Sequence, residues 1–289
     1  MAQESVSVIV PVFNKAAYSQ RCFAALLQTH HRPLEIVAVD NGSSDDTPAL
    51  LEQVKKNASA AGIGFCVVRN ASNLGASTAR NQGLAAATGQ YIVVMDNDVA
   101  ICQRAWAGKM MAALRERPDV AIVGPKLLFA FPPHLVQFAG GAVSPTGRVV
   151  FVGRGKPADT PELNVLREVQ CCISACWMMQ RRIVEELGDF DEEFNPVQFE
   201  DIDYCYRARS AGYKILYLPT VTMHHFENVT TGMSPSINST YLIIKNGMKF
   251  KQRWRHMFSK ENGPRDQDIC WAQVEKVPLQ QIGELPIGD

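Results

Sequence analysis

The 289-residue sequence lacks several features that mark whole classes of proteins. No apolar run approaches the roughly 20 residues that a membrane-spanning helix needs, and Met1–Glu4 shows no basic start of a signal peptide. The formal net charge is zero, so the overall charge gives no reason to expect a nucleic acid as partner. We therefore expect a cytoplasmic globular protein that binds no nucleic acid.

Several short binding motifs are missing as well. The eight cysteines do not have the paired spacing of zinc sites, and those at 171, 172 and 176 come closest to a cluster. Burial of free thiols explains such cysteines better than metal or redox chemistry does. Neither the glycine spacing of a dinucleotide fingerprint nor that of a P-loop is present. A phosphate-binding site would therefore have to be built in another way.

Alternating strand and helix patterns fill the first part of the chain. This alternation is typical of a parallel sheet covered by helices. The predicted strands are Ser5–Val12, Leu34–Asp40, Gly64–Arg69, Tyr91–Met95 and Val120–Gly124, and the predicted helices are Ala17–Gln28, Thr47–Asn57, Gly75–Thr88 and Arg104–Arg117. We therefore predict an α/β fold with a mostly parallel central sheet flanked by helices.

The composition changes after residue 125. Between Pro125 and Glu168 the chain is rich in glycine, proline and aromatic residues, which predicts loops and short strands that shape a substrate pocket. Beyond Asn262 the chain is thinly apolar, so we expect a mobile or loosely packed tail. We predict one domain over residues 1–260, with a nucleotide-binding half (1–125), an acceptor and catalytic half (126–260), and a tail (261–289).

Polar residues follow three of the predicted strands. They are Asn14, the turn Asp40–Ser43 and the segment Asp96–Asp98. The carboxyl ends of parallel strands share one edge, where ligands bind. An Asp-x-Asp pair there suits a divalent metal that carries a diphosphate, because Mg²⁺ prefers one or two carboxylates plus phosphate oxygens and water. Helix capping explains one such acid easily and three polar strand ends less well.

The segment Asn73–Asn81 opens the helix before the Asp-x-Asp strand. It offers a glycine at position 75, free backbone amides at a helix start and an arginine one turn in. Anions bind at such places. The alternative is an asparagine-capped helix with Arg80 in a surface ion pair.

Two further groups of residues could carry chemistry. Glu200 and Asp201 follow an aromatic residue, where one carboxylate could be partly desolvated and take a proton, although acids at a helix start also stabilise the helix dipole. Asp203 and Arg207 have the spacing of an ordinary helical ion pair. The histidines at 224 and 225 come just after two strand-like segments, Lys214–Leu218 and Val221–Met223. They could complete a coordination shell begun by Asp98, or be structural.

Taken in order, these motifs resemble those of inverting glycosyltransferases of family 2, which have the GT-A fold. The resemblance covers roughly Ser5 to Phe250, and it is closest to the bacterial rhamnosyltransferase-like branch that builds cell-surface polysaccharides. The matching segments are Val10–Asn14, Val39–Asp45, Asn73–Asn81, Met95–Asp98, Gly188–Glu192, Phe199–Asp203 and His224–His225. The resemblance implies a Rossmann-like nucleotide half joined to an acceptor-binding half.

The resemblance assigns much of the site to the donor. It implies that Pro11, Phe13 and Asp40 contact the nucleotide base, and that Asp96 lies near the ribose or the water shell of the metal. The residues expected to bind the nucleotide sugar are Pro11, Phe13, Asn14, Asp40, Asn73, Gly75, Arg80, Asp96 and Asn97.

The resemblance also implies a metal centre and a catalytic base. Asp98, with Asp96, would bind Mn²⁺ or Mg²⁺, and His224 would be a further ligand. Asp201, beside Glu200, would remove a proton from the acceptor hydroxyl as it attacks the anomeric carbon. This displacement inverts the anomeric configuration, and the metal offsets the charge on the departing diphosphate.

The expected function is therefore metal-dependent inverting transfer of a hexosyl or deoxyhexosyl group. The donor would be a UDP, dTDP or GDP sugar, and the acceptor a sugar or a lipid-linked glycan in cell-surface polysaccharide or glycoconjugate synthesis. The basic, aromatic segment Lys245–Arg255 could touch the inner face of the membrane, although a solvated helix face is an equal alternative.

Two other functions are compatible with parts of this pattern. A sugar-phosphate nucleotidyltransferase would need a glycine-rich basic loop after the first strand, and Pro11–Lys15 does not supply it. A non-catalytic sugar-nucleotide-binding or scaffolding subunit could keep the fold, but the presence of Asp98 and Asp201 argues against it.

Overall fold

A computed structural model of the chain describes residues 4–227, 229 and 238–289. Strands and helices alternate at first, and short strands dominate the middle of the chain. The first elements are β1 Val6–Val12, α1 Ala16–Leu26, β2 Leu34–Asp40, α2 Thr47–Ala60, β3 Gly64–Arg69, α3 Ala76–Ala86, β4 Tyr91–Met95, β5 Val99–Ile101, α4 Trp106–Glu116 and β6 Val120–Phe129. They are followed by β7 Val136–Phe138, β8 Gly141–Val143, β9 Val149–Phe151, β10 Arg167–Val169, β11 Cys176–Gln180, α5 Arg181–Leu187, α6 Glu200–Ser210, β12 Lys214–His225 and α7 Ser239–Phe258.

A large central sheet organises the fold. Its strand order is β10-β12-β6-β11-β4-β1-β2-β3, with β5 beside β12 and β7 beside β6. Strands β1 to β4 pair in parallel, as do β6 and β12, whereas β11 is antiparallel to both of its neighbours. Strand β4 is buried along its whole length, as expected for a strand covered by helices on both faces. The predicted α/β fold with a mostly parallel sheet is confirmed.

Two strands near the site are longer than predicted. Strand β6 continues past Pro125 to Phe129, because β12 and β7 pair with its second half. Strand β12 is continuous where two segments were expected, and its register with β6 shifts between Leu218 and Thr222. That irregularity accommodates Pro219, which has no N–H to donate to a neighbouring strand.

The segment after residue 260 packs against the body of the protein rather than lying loosely beside it. The Arg21 side chain of α1 donates hydrogen bonds to the carbonyls of Ile282 and Gly283, each at 2.8 Å. Ile282 is buried in an apolar cluster with Phe129 and Phe226. A few well-placed contacts therefore hold a thinly apolar segment in place. Among the described residues, no helix is both long and apolar enough to cross a membrane.

Candidate active site

A cleft opens at the edge of the sheet where β1 and β4 end. Its walls come from both parts of the chain, because the start of α3, the start of α6 and the end of β12 converge on the same edge. The predicted residues that line the cleft are Pro11, Phe13, Asn73, Arg80, Asp96, Asn97, Asp98, Glu200 and Asp201. The fold thus brings together strand-end groups and helix-start acids that lie far apart in sequence.

Asp96, Asp98 and His225 form a compact group of possible metal ligands. One ligand atom from each residue lies within 4.8 Å of the others. The Nε2 atom of His225 is 3.2 Å from Oδ1 of Asp98, and both side chains are buried. Nδ1 of His225 lies 2.6 Å from Oε1 of the buried Gln137, so it can donate there and leave the Nε2 lone pair facing the carboxylates. Such a set fits a divalent cation.

The structure corrects the prediction that His224 is the third ligand. Successive side chains of a strand point to opposite faces, so when His225 faces the aspartates His224 faces away. The His224 ring packs against His134 instead, with ring centroids 4.7 Å apart. Burial, with the neighbouring His134, lowers the pKa of His224 to about 4. From the sequence either histidine could be the ligand, and the orientation of successive side chains along the strand decides between them.

Two acidic clusters line the cleft, Asp96 with Asp98 at the end of β4 and Glu200 with Asp201 at the start of α6. Arg80 connects them. Its guanidinium donates to Oδ1 of Asp96 at 2.9 Å and to Oε1 of Glu200 at 2.6 Å. Only 3% of Arg80 is exposed, so the alternative of a surface ion pair is wrong. Because Arg80 pairs with one carboxylate of each cluster, it is a structural bridge between α3, the end of β4 and the start of α6.

Asp201 has the protonation behaviour expected of a base. Burial, reinforced by the negative charge of Glu200, raises the pKa of Asp201 to about 7. The backbone N–H of Ser174, which donates to Oδ2 at 3.0 Å, and the positive charge of Arg80 oppose that rise. A carboxylate with a pKa near neutrality can accept a proton and release it again near neutral pH.

Asp203, in the next turn of α6, has a structural role. It is fully buried and pairs with Arg207 at 3.3 Å, which confirms the helical ion pair that the spacing predicts. It also accepts hydrogen bonds from Arg253 at 2.9 Å and from the indole of Trp254 at 2.8 Å. These bonds attach α7 to α6.

Three predicted donor-binding residues lie outside the lining of the cleft. Asp40 is 1% exposed and accepts a hydrogen bond from the N–H of Ser43 at 2.9 Å. The Asn14 side chain accepts the N–H of Ser44 at 2.8 Å. Gly75 has a φ of +93°, and a Cβ there would come within 2.3 Å of the Asn195 side chain. In the structure these residues shape the loops that bear the neighbouring cleft residues Phe13, Asn41 and Ala76.

Several residues of the cleft are missing from the site residues expected from the sequence. Asn41 links two of its loops, because its amide donates to Oδ1 of Asn73 at 2.8 Å while its oxygen accepts the N–H of Leu74 at 3.0 Å. Its position directly after Asp40 was a usable signal. Glu227 and Trp271 also line the cleft. Nothing local in the sequence indicated that Trp271 returns to this edge of the sheet.

The chain belongs to glycosyl transferase family 2, whose family model matches residues 7–188. Among its relatives, the O-antigen biosynthesis protein RfbC of Myxococcus xanthus is 28% identical over 78% of this chain and 17% of its own length. The pre-mycofactocin glycosyltransferase of Mycobacterium tuberculosis is 26% identical over 78% of this chain and 43% of its own length. The chain thus spans less than half of each of these relatives.

The fold is also found in solved structures. A crystal structure of GalNAc-T7 with UDP, GalNAc and Mn²⁺ superposes with a TM-score of 0.69 over 89% of this chain and 50% of that one, at 17% identity. This likeness and the family match confirm the GT-A fold and the family that the motifs indicated. The rhamnosyltransferase-like branch stays a prediction.

Proposed function

We propose that the protein is a metal-dependent inverting glycosyltransferase that moves a sugar from a nucleoside-diphosphate sugar to a hydroxyl acceptor. The observation that carries this proposal is the pairing of Arg80. Arg80 forms ion pairs with Asp96 and Glu200, one from each acidic cluster. Asp98 is left to the metal beside His225, and Asp201 is left to receive a proton.

Asp98 and His225, with Asp96 at the edge of the group, would hold the metal. Their convergence within 4.8 Å supports this assignment. When bound, a divalent cation supplies positive charge that offsets the charge growing on the departing diphosphate. We propose Mn²⁺ rather than Mg²⁺, because an imidazole nitrogen is a less suitable ligand for Mg²⁺, which strongly prefers oxygen. The Mn²⁺ in the GalNAc-T7 structure is consistent with that choice.

Asp201 would act as the general base. The acceptor hydroxyl gives its proton to the Asp201 carboxylate while its oxygen forms a bond to the anomeric carbon. The bond between that carbon and the diphosphate oxygen breaks on the opposite face, so the anomeric configuration inverts. A pKa near 7 supports this role, because Asp201 is then substantially ionised at neutral pH.

We propose a UDP sugar as the first donor class to test, since GalNAc-T7 was solved with UDP. We also propose a role in cell-surface polysaccharide synthesis, which the name of the RfbC relative supports. The acceptor would be a sugar or a lipid-linked glycan. We also propose that the lining residues Pro11, Phe13, Asn73 and Asn97 contact the donor directly, and that Asn14, Asp40 and Gly75 act through the loops that they shape.

A lipid-linked acceptor would bring the protein to the inner face of the membrane. The outer face of α7 supports this proposal, because Tyr241, Ile244 and Met248 are each more than half exposed beside the exposed Lys245. Apolar side chains next to basic ones favour an anionic membrane surface. Co-sedimentation with anionic vesicles should fall in Met248→Glu, and equal co-sedimentation of the variant would contradict membrane contact through this face.

The test of the function has two stages. Thermal shift should show stabilisation by UDP only when Mn²⁺ is present. NMR of a UDP α-sugar incubated with enzyme and Mn²⁺ should then show release of the β-anomer first, with water as acceptor. Release of the α-anomer would contradict inversion. Stabilisation without any turnover of sugar donors would favour a non-catalytic sugar-nucleotide-binding subunit.

A further inference from the structure

The segment that follows α7 reaches the cleft through one aromatic side chain. Trp271 lines the cleft and is 50% exposed, whereas the other three tryptophans of the chain are buried. Its ring centroid lies 5.2 Å from that of Phe151, which also lines the cleft. A large apolar ring is therefore presented to solvent inside the candidate active site.

Arg154 fixes the position of this ring. Its guanidinium carbon lies 4.2 Å from the centroid of the Trp271 ring and 5.0 Å from that of Phe129. Two hydrogen bonds, at 2.7 and 3.0 Å, join the guanidinium to the carboxylate of Glu227. The Nε of Arg154 donates to the carbonyl of Ala272 at 3.1 Å. The paired arginine thus packs against the indole, and half of the Trp271 surface stays exposed.

Two further contacts hold the same segment to the cleft wall. The Lys276 ammonium donates to the carbonyl oxygen of Glu227 at 2.6 Å. Gly155, with a φ of +81°, lies so close to the segment that a Cβ there would be 2.9 Å from Cβ of Ala272. The position of Trp271 is therefore built by several independent contacts, and a ligand would meet a ring that is already ordered.

These features suit the recognition of a sugar ring. A pyranose has an apolar face of C–H groups that can lie on an indole, and hydroxyls that can donate hydrogen bonds to carboxylates. Trp271 offers the flat apolar surface, and Asp201 lies in the same cleft. The donor's diphosphate would instead lie at the end of β4, beside Asp98.

We propose that Trp271, held by Arg154, is the platform on which the acceptor's reacting pyranose stacks, with its hydroxyl turned toward Asp201. This inference rests on the proposed function. It makes the segment after α7 a determinant of acceptor specificity. Trp271 and Arg154 would position the acceptor and take no part in the proton transfer.

The experiment uses a panel of methyl pyranosides as acceptor probes. Isothermal titration calorimetry would measure their binding to the full chain loaded with UDP and Mn²⁺. The variants are Trp271→Ala, Trp271→Phe and the control Leu166→Ala, which removes a 48% exposed apolar side chain outside the cleft lining. We expect at least one glycoside to bind the wild type and the control equally, about tenfold more weakly to Trp271→Ala, and at an intermediate level to Trp271→Phe.

The UDP and Mn²⁺ thermal shift separates this inference from the proposed function. We expect that shift to be the same in all four proteins, and its absence from the wild type would count against the proposed function itself. With the shift intact, equal glycoside binding in wild type and Trp271→Ala would overturn the platform. The absence of binding by every glycoside would also overturn it. Loss of the UDP shift in Trp271→Ala would overturn it too, because the ring would then contact the donor.

Discussion

The two acidic clusters of the cleft are built from similar residues but in different surroundings. At the end of β4, Asp96 and Asp98 lie beside the imidazole of His225. At the start of α6, Glu200 and Asp201 lie beside each other with no imidazole in contact among the described residues, and burial raises the pKa of Asp201 to about 7. The first cluster is arranged to bind a cation, and the second is arranged to bind a proton.

Arg80 makes this division of roles possible. It pairs with Asp96 in one cluster and with Glu200 in the other. The four carboxylates of the two clusters would repel each other, and a single buried guanidinium reduces that repulsion while leaving one acid of each cluster to chemistry. The comparison shows that the acid that Arg80 does not contact, rather than the acidic motif as a whole, defines each role.

The largest effect should come from replacing the proposed base. In Asp201→Asn the side chain can no longer accept a proton, while its oxygen can still accept the Ser174 N–H. We expect turnover of the donor to fall by about 10²–10⁴-fold, with UDP and Mn²⁺ binding unchanged. Glu200→Gln is the comparison. If this variant lost more turnover than Asp201→Asn, Glu200 rather than Asp201 would be the base.

Removing the bridge should mainly affect stability. Arg80→Leu leaves the buried Glu200 without its partner, and we expect the free energy of unfolding in urea to fall by about 3–5 kcal/mol. The matched control is Arg117→Leu, because Arg117 pairs with Glu168 at the surface. Loss of that pair should lower the free energy of unfolding by less than about 1 kcal/mol. Equal losses in the two variants would contradict a special role for the Arg80 bridge.

The two histidines should differ in their effect on the metal. His225→Gln removes a nitrogen from the group with Asp98, so we expect Mn²⁺ affinity, measured by isothermal titration, to fall about 10–100-fold. His224→Gln should change it little, because His224 packs against His134 on the opposite face. A larger loss in His224→Gln would return the ligand role to His224.

The smallest predicted effect is a dependence on pH. Turnover needs ionised Asp201, so kcat/KM should fall about tenfold per unit as the pH drops below about 7. Because folding raises the pKa of this carboxyl, the protonated form is favoured in the folded state. Its stabilising contribution is present at low pH and is lost as the pH rises toward 7.

The same linkage gives a readout that needs no substrate. Asp201→Asn should gain stability over the wild type above pH 7, by on the order of 1 kcal/mol, and lose that advantage near pH 4. Urea unfolding at the two pH values would measure it. A pH-independent difference between the proteins would mean that Asp201 does not titrate near 7.

The sequence predicted those parts of the site that depend on local pattern. Strands β2, β3 and β4 have the predicted bounds, because short apolar runs between turn residues mark such strands clearly. The strand-end aspartates and the acids that open α6 could be found for the same reason. Each lies at a boundary that a short stretch of sequence defines.

The remaining parts depend on contacts between distant segments. The choice between His224 and His225 follows from the pleat of β12, whose register with β6 shifts between Leu218 and Thr222. The burial of Arg80 depends on Glu200, far along the chain. Trp271 lies in the cleft beside contacts of its segment with Arg154, which in turn pairs with Glu227. No local pattern encodes these arrangements.

The most direct test of the division of roles compares Asp98→Asn with Asp201→Asn in one binding measurement. Thermal shift by UDP, with and without Mn²⁺, reports the metal-dependent donor site without requiring turnover. The account predicts that Asp98→Asn loses the Mn²⁺-dependent shift and that Asp201→Asn keeps it. A shift retained in Asp98→Asn, or lost in Asp201→Asn, would contradict the assignment of one acid to the metal and the other to the proton.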